Sequence, residues 1–385
     1  AEGALEWSLP LAAGDPLFGL PPLPPQPLPA SPYQRALDYY TRDLAELFFG
    51  RSREIRDLYQ RVTAAGRSRV ILYYGQSGVG KSSLLEAGLL PRLDAEHVCL
   101  YIRRQADAGL TGTLDKVLCA TADNKSLRQA WLDREGEAKK PVVIILDQVE
   151  ELFTRAQVDQ ASQAAELGDF LTSLSTLFAD RTQRPCGKLI LGFRKEYLAE
   201  IEEHLRGKLP YKPIFLEHLS QQGIQEAITG LTSTQRLRAA YGLTFDAEVP
   251  SIITYDLAED PESPLAPTLQ MLLTKLWEQA IEQDRTKPVF ALTLYYALKR
   301  KGLLLDDFLT QQLQLLSQRN PAPVASGLVL DMLFYHTTPL GAADQHDEQA
   351  LFKSYEQHPP ATLQLLVQQC KDLYLLADSS NKPIK

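Results

Sequence analysis

Apolar residues along this chain follow two alternating rhythms. Short continuous runs lie at about 68–74, 97–103, 141–146, 187–193 and 212–216. The first contains Val70-Ile71-Leu72-Tyr73-Tyr74, rich in β-formers, and the third is Pro141-Val142-Val143-Ile144-Ile145-Leu146. Unbroken apolar runs of this length suit strands buried on both faces of a parallel sheet. Between them apolar residues recur at helical spacing, as with Ile55, Leu58, Tyr59 and Val62. The stretch 169–180 carries Phe170, Leu171, Leu174, Leu177 and Phe178 on one helical face, and 37–49 reads as a helix ending at Gly50. Five strands alternating with helices predict an α/β fold, a doubly wound parallel sheet.

The rhythm changes after Ser220. Residues 221–229, 268–283 and 294–317 read as helices, the last with a break at Gly302, and Pro261, Pro264 and Pro267 interrupt the chain before the second. From Asn320 short helices precede the apolar Tyr374-Leu375-Leu376-Ala377 and a turn, the pattern of a truncated winged-helix domain. At the other end, Pro21-Pro22-Leu23-Pro24-Pro25-Gln26-Pro27 predicts an extended polyproline spacer. The expected domains are a proline-rich linker at 1–35, a sheet domain at 36–219, a helical domain at 220–319 and a partial winged helix at 320–385. No internal repeat is evident.

Chemistry concentrates at two strand ends. Gly75-Gln76-Ser77-Gly78-Val79-Gly80-Lys81-Ser82 fits G-x-x-x-x-G-K-[ST], with the first strand before it and the helical Ser83-Leu84-Leu85-Glu86-Ala87-Gly88-Leu89-Leu90 after it. The glycines let backbone N–H groups wrap a phosphate chain, and the helix N-terminus adds partial positive charge. Lys81 is expected to reach the β- and γ-phosphates of ATP, with the Ser82 hydroxyl on Mg²⁺. The third apolar run ends in Asp147, where ligands bind in open α/β sheets, so Asp147 is the second expected holder of Mg²⁺. Glu150 and Glu151 follow as candidates to orient and deprotonate an attacking water. One of the two is expected to be structural, paired with a base, and Glu150 is slightly preferred as the catalytic one.

Composition narrows the field. The 385 residues are 44% apolar and 23% charged, with a formal net charge of −8. A nucleic-acid-binding surface would show as a basic excess or stripe, and the one compact basic cluster, Lys299-Arg300-Lys301, reads as a solvated helix end. Cys99, Cys119, Cys186 and Cys370 are widely spaced, as free thiols of a reducing cytosol would be. No apolar run is as long as a membrane span, and no signal peptide is visible, so a cytoplasmic protein is expected. The chain starts at Ala1 and holds only Met271 and Met332, which reads as a piece of a longer protein.

Several segments together resemble a known family. They are Phe48-Phe49-Gly50-Arg51-Ser52-Arg53-Glu54-Ile55, the glycine loop running into Leu89-Leu90-Pro91-Arg92-Leu93, Leu146-Asp147-Gln148-Val149-Glu150-Glu151-Leu152-Phe153-Thr154, Gly192-Phe193-Arg194-Lys195-Glu196-Tyr197-Leu198, and Pro267-Thr268-Leu269-Gln270 through Leu276-Trp277. Over roughly residues 45–385 this resembles the novel-STAND branch of signal-transduction ATPases, P-loop relatives of the NACHT and AAA+ proteins. The resemblance implies that Gly50 and Arg51 lie beside the adenine and ribose, that Gly75 to Ser83 hold the phosphates, that Arg194 senses the γ-phosphate and that Pro267 packs on the base. It also implies an N-terminal effector, a C-terminal sensor and an oligomer on activation, with several members acting in bacterial antiviral defence and a phage protein as the candidate trigger. No winged-helix histidine of the kind that reads ADP in many relatives is recognisable as far as Lys385.

The leading expectation is therefore a slow regulatory ATPase, a switch that couples ATP or ADP occupancy to assembly. A motor or remodelling ATPase and a nucleotide-binding scaffold without hydrolysis remain the alternatives. A GTPase would need an N-K-x-D motif after the fourth strand, and Asn124-Lys125-Ser126-Leu127 lacks the Asp and lies in the wrong place.

Overall fold

The computed structural model describes residues 17–33, 39–66, 68–105, 108–118, 126–154, 160–179, 184–258, 265–300, 308–337, 346–373 and 375–376. The chain divides into two compact units. One gathers Tyr40–Gln76 and Gly80–Glu217 with the N-terminal segment as far as Pro27, and the other gathers Leu28–Tyr39, Ser77–Val79 and the chain from His218.

The first unit is built on five parallel strands: β1 (Val70–Gly75), β2 (Val98–Arg103), β3 (Val142–Asp147), β4 (Lys188–Arg194) and β5 (Tyr211–Leu216). Their order is β2-β3-β4-β1-β5, so the doubly wound parallel sheet is present and β4 lies between the phosphate-loop strand and the Asp147 strand. Composition explains the order of burial. The three inner strands are mostly apolar and almost wholly buried, whereas the edge strand β5 is largely exposed and carries Pro213, which cannot donate to a ladder. Val70 and Leu72 join a core with Trp131, Phe170, Leu174 and Leu110, while Ile71 and Tyr73 are buried outside that cluster, on the opposite face. The helix predicted at 169–180 is longer, Gln160–Ala179, and buries the five apolar residues expected of it.

One local expectation is corrected here. Residues 37–49 do not form an α-helix over their described part: only the 3₁₀ segment Arg42–Leu47 is helical, and the chain is extended at Thr41 and Phe48. The Tyr40 N–H donates to Ser83 Oγ rather than into a helix. A 3₁₀ turn has three residues, so Leu44 and Leu47 stack on one face and both are buried. After the phosphate loop, residues 81–93 are helical throughout, but Leu84–Leu89 is π-helical between α-helical Lys81–Ser83 and Leu90–Leu93.

In the second unit the helix Gln221–Thr229 stands as expected, capped by Ser220 Oγ accepting from Gly223 N–H at 3.1 Å. The expected helix at 268–283 begins earlier, as Leu265–Gln283. The region read as all-helical also holds a small parallel pair, β6 (Thr244–Phe245) and β7 (Val289–Phe290). Two residues per strand are too few for a periodic signal. Around the stretch 294–317 the described residues form the helices Leu292–Arg300 and Phe308–Arg319; the break expected at Gly302 lies outside the described residues. Helices Leu328–Tyr335, Glu348–Ser354 and Pro360–Asp372 then surround Val329, Met332, Leu351, Leu363 and Leu366. Tyr374, Ala377 and the turn expected after them lie outside the described residues, as do Cys119 and Asn124.

The proline-rich segment is held along its described length rather than hanging free. Arg92 Nη1 donates to the Pro21 carbonyl at 2.8 Å, and Arg56 donates to the Phe18 carbonyl. Within the second unit, the Tyr241 hydroxyl donates to the Pro29 carbonyl at 2.9 Å, and Tyr33 packs on Trp277 and Phe290. Among the described residues no helix is long and apolar enough to cross a membrane.

Candidate functional site

Parallel register brings Gly75, Arg103, Asp147, Arg194 and Leu216 to one end of the sheet. That is the carboxyl end, where the loops leaving the strands form the crevice used by ligands in open α/β sheets.

The glycine loop leaves β1 at Gly75. Gly78 and Gly80 have φ of 72° and 96°, left-handed values that turn the chain back into the helix beginning at Lys81. Ser77 and Gly78 are exposed, Gln76 is half-buried, and Val79 is buried as an anchor. Lys81 Nζ donates to the Gly75 carbonyl at 3.0 Å and the Gln76 carbonyl at 2.9 Å. Burial lowers the ammonium from its ordinary value, and the Glu150 and Asp147 carboxylates offset part of that.

Asp147, 1% exposed, closes β3. Its Oδ2 accepts from Ser82 Oγ at 2.6 Å and from the Tyr101 hydroxyl at 2.5 Å, while Oδ1 is buried without a hydrogen-bond partner among the described residues. Burial and the Asp147 charge push the Tyr101 phenol well above its ordinary value, so it stays a donor. The Asp147 carboxylate is packed against β4: a Cβ placed on Gly192 would lie 2.4 Å from Oδ1. The next residue, Gln148, has a left-handed φ of 58°, rare for a residue with a side chain, and turns the chain so that Val149 N–H donates to the Gly192 carbonyl at 3.0 Å.

That turn places Glu150 inside. It is 5% exposed, its Oε1 lies 3.3 Å from Arg194 Nε, and its Oε2 has no hydrogen-bond partner among the described residues. Burial pushes its carboxyl up to about 7; the Asp147 charge pushes the same way, and Lys81 and Arg194 oppose it. Glu151, half-buried, opens the short helix Glu151–Thr154. Lys81, Ser82, Asp147, Glu150 and Arg194 thus converge, and Ser83 is buried just behind them.

Gly50 and Arg51 lie in the same unit. Gly50 is left-handed at φ 87°, and Arg51, 3% exposed, pairs with Glu54 at 2.7 Å. Pro267 belongs to the second unit, as the third residue of helix Leu265–Gln283. Tyr101, Gly192 and the backbone of Gln148 were not legible as site features. Only strand register reveals the first two, and the last is a turn conformation at a residue type that does not demand it.

The donors fit the groups the motif implies. An exposed loop of left-handed glycines with a lysine at its end suits a polyphosphate. One hydroxyl and one carboxylate with an unpartnered oxygen suit Mg²⁺, which takes oxygen ligands and keeps several waters.

Among solved structures, the chain is similar to the ORC1 protein of Aeropyrum pernix in complex with DNA, at 12% identity and a TM-score of 0.46, covering 89% of this chain and 88% of that one. The ORC2 protein of the same organism, in ADPNP-ADP complexes, matches at 12% identity and a TM-score of 0.46, covering 89% and 98%. No curated protein matches. The model of the family described as novel STAND NTPase 1 matches residues 32–302, well over half of the chain, and the chain belongs to that family of NTPases.

Proposed function

We propose that this chain is an ATP-binding and slowly hydrolysing switch, which couples the presence of a γ-phosphate to assembly and to activation of an effector. The observation that carries the reading is the meeting of the phosphate-loop Ser82 with Asp147 at 2.6 Å, next to a Glu150–Arg194 ion pair. Ser82 and Asp147 would hold Mg²⁺, which when bound neutralises charge on the β- and γ-phosphate oxygens.

The chain's own residues do the rest. Lys81 exchanges the Gly75 and Gln76 carbonyls for phosphate oxygens. Arg194 turns its guanidinium from Glu150 to the γ-phosphate, a planar fork well matched to phosphate. Glu150, released, takes a proton at a carboxylate oxygen from the water that attacks the γ-phosphorus as the bond to the β–γ bridging oxygen breaks. A carboxyl near 7 suits a general base at neutral pH. ADP lacks the oxygens that draw Arg194 away, so the Glu150–Arg194 pair re-forms. Gly50 and Arg51 would lie beside the adenine and ribose, as the resemblance implies. We further propose, on the resemblance alone, a cytoplasmic protein that assembles with its own copies, with an effector and a sensor as neighbours and a role in bacterial antiviral defence triggered by a phage protein.

Isothermal titration of ATP tests the core of this reading. Lys81→Ala removes the cation from the loop and is expected to abolish or greatly weaken binding. Unchanged affinity would move the nucleotide away from the loop.

A further inference from the structure

The Asp147 carboxylate draws on more than its own strand. Ser82 comes from the helix after the glycine loop, and Tyr101 from β2, the strand beside β3. In the β2–β3 register Arg103 stands opposite Asp147 and Tyr101 opposite Ile145, so Tyr101 lies one pleat back on the same face, and its long side chain spans the gap. Gly192 of β4 closes the other side.

Both O–H donors reach the same oxygen. A carboxylate held by one donor can turn about its Cβ–Cγ bond; two donors from different elements fix its plane. Ser82 is itself a candidate metal ligand, so its oxygen is committed elsewhere once Mg²⁺ is bound. Tyr101 is the donor on Asp147 that has no other duty in the site.

We propose that Tyr101 is a positioning residue, whose hydroxyl holds the Asp147 carboxylate in one orientation for the divalent cation. The inference rests on the Mg²⁺–nucleotide reading above. Hydrogen-bonding partners of metal-bound carboxylates commonly contribute 10- to 100-fold to metal affinity.

The test is ADP binding by isothermal titration, first in EDTA and then across a Mg²⁺ series, for the unaltered protein, Tyr101→Phe and Asp147→Asn. Tyr101→Phe should leave affinity in EDTA within about twofold and raise the Mg²⁺ concentration at half-effect by roughly tenfold. Asp147→Asn should raise it further. An unmoved Mg²⁺ midpoint in Tyr101→Phe, with Asp147→Asn still shifted, would overturn the role of Tyr101 and leave the site reading intact. A midpoint unmoved in both variants would remove Asp147 from the metal and the inference with it. Equal loss of affinity with and without Mg²⁺, or loss of a cooperative melt, would make the hydroxyl a fold-holding group and overturn positioning as well.

Discussion

Glu150 is the residue whose environment says most about pH. Its carboxyl, ordinarily near 4.5, is pushed up to about 7, chiefly by burial. Between those values the native state keeps a proton that the unfolded chain has released. Stability of the nucleotide-free protein is therefore expected to fall as pH rises from about 4.5 to about 7, by on the order of 3 kcal/mol at most. Thermal melts across that window check the sign, and Glu150→Gln should flatten the dependence because its amide does not titrate. Hydrolysis should move oppositely, rising through neutral pH as the basic form accumulates. A melting temperature that climbs over this interval would mean that Arg194 and Lys81 hold the carboxylate ionised, against the burial that surrounds it.

Between elements, the closest fit at the site is β3 against β4. A methyl group on Gly192 would lie 2.4 Å from Asp147 Oδ1 and 3.4 Å from its Cα and Cγ. Gly192→Ala must turn the carboxylate off its Ser82 and Tyr101 donors or push the strands apart. The expected cost is about 1–3 kcal/mol of stability, with a loss of Mg²⁺-dependent nucleotide affinity of roughly tenfold or more; calorimetry reads the first and titration the second. Unaltered binding would show that the carboxylate has room to spare. The same contact explains what sequence could and could not tell. Lys81, Ser82 and Asp147 are legible because the glycine loop is contiguous and a buried strand is a contiguous apolar run. Gly192 and Tyr101 matter through pairing with residues 45 and 46 positions away, a relation that exists only after register is set. The 3₁₀ segment at Arg42–Leu47 failed the helical expectation for a related reason: its entry is fixed by a bond from Tyr40 to Ser83, not by its own periodicity.

Across the whole chain the formal net charge is −8, and the proposed switch acts on copies of itself. Light scattering is expected to find this chain monomeric with ADP. A form that carries effector and sensor should assemble with ATP and its activator, and one that stays monomeric there would take assembly out of the proposal. The strand order has a consequence for how the protein comes into being. β1, which ends in the phosphate loop, pairs with β4 and β5 and with no strand made near it in time. Its first partner follows roughly 120 residues later, an interval of about 6–24 s at ordinary rates of synthesis. Until then the ribosome carries a nascent chain with a complete glycine motif and no sheet to support it. The loop is read from eight consecutive residues, yet the two strands that flank β1 are both complete only when translation has passed Leu216.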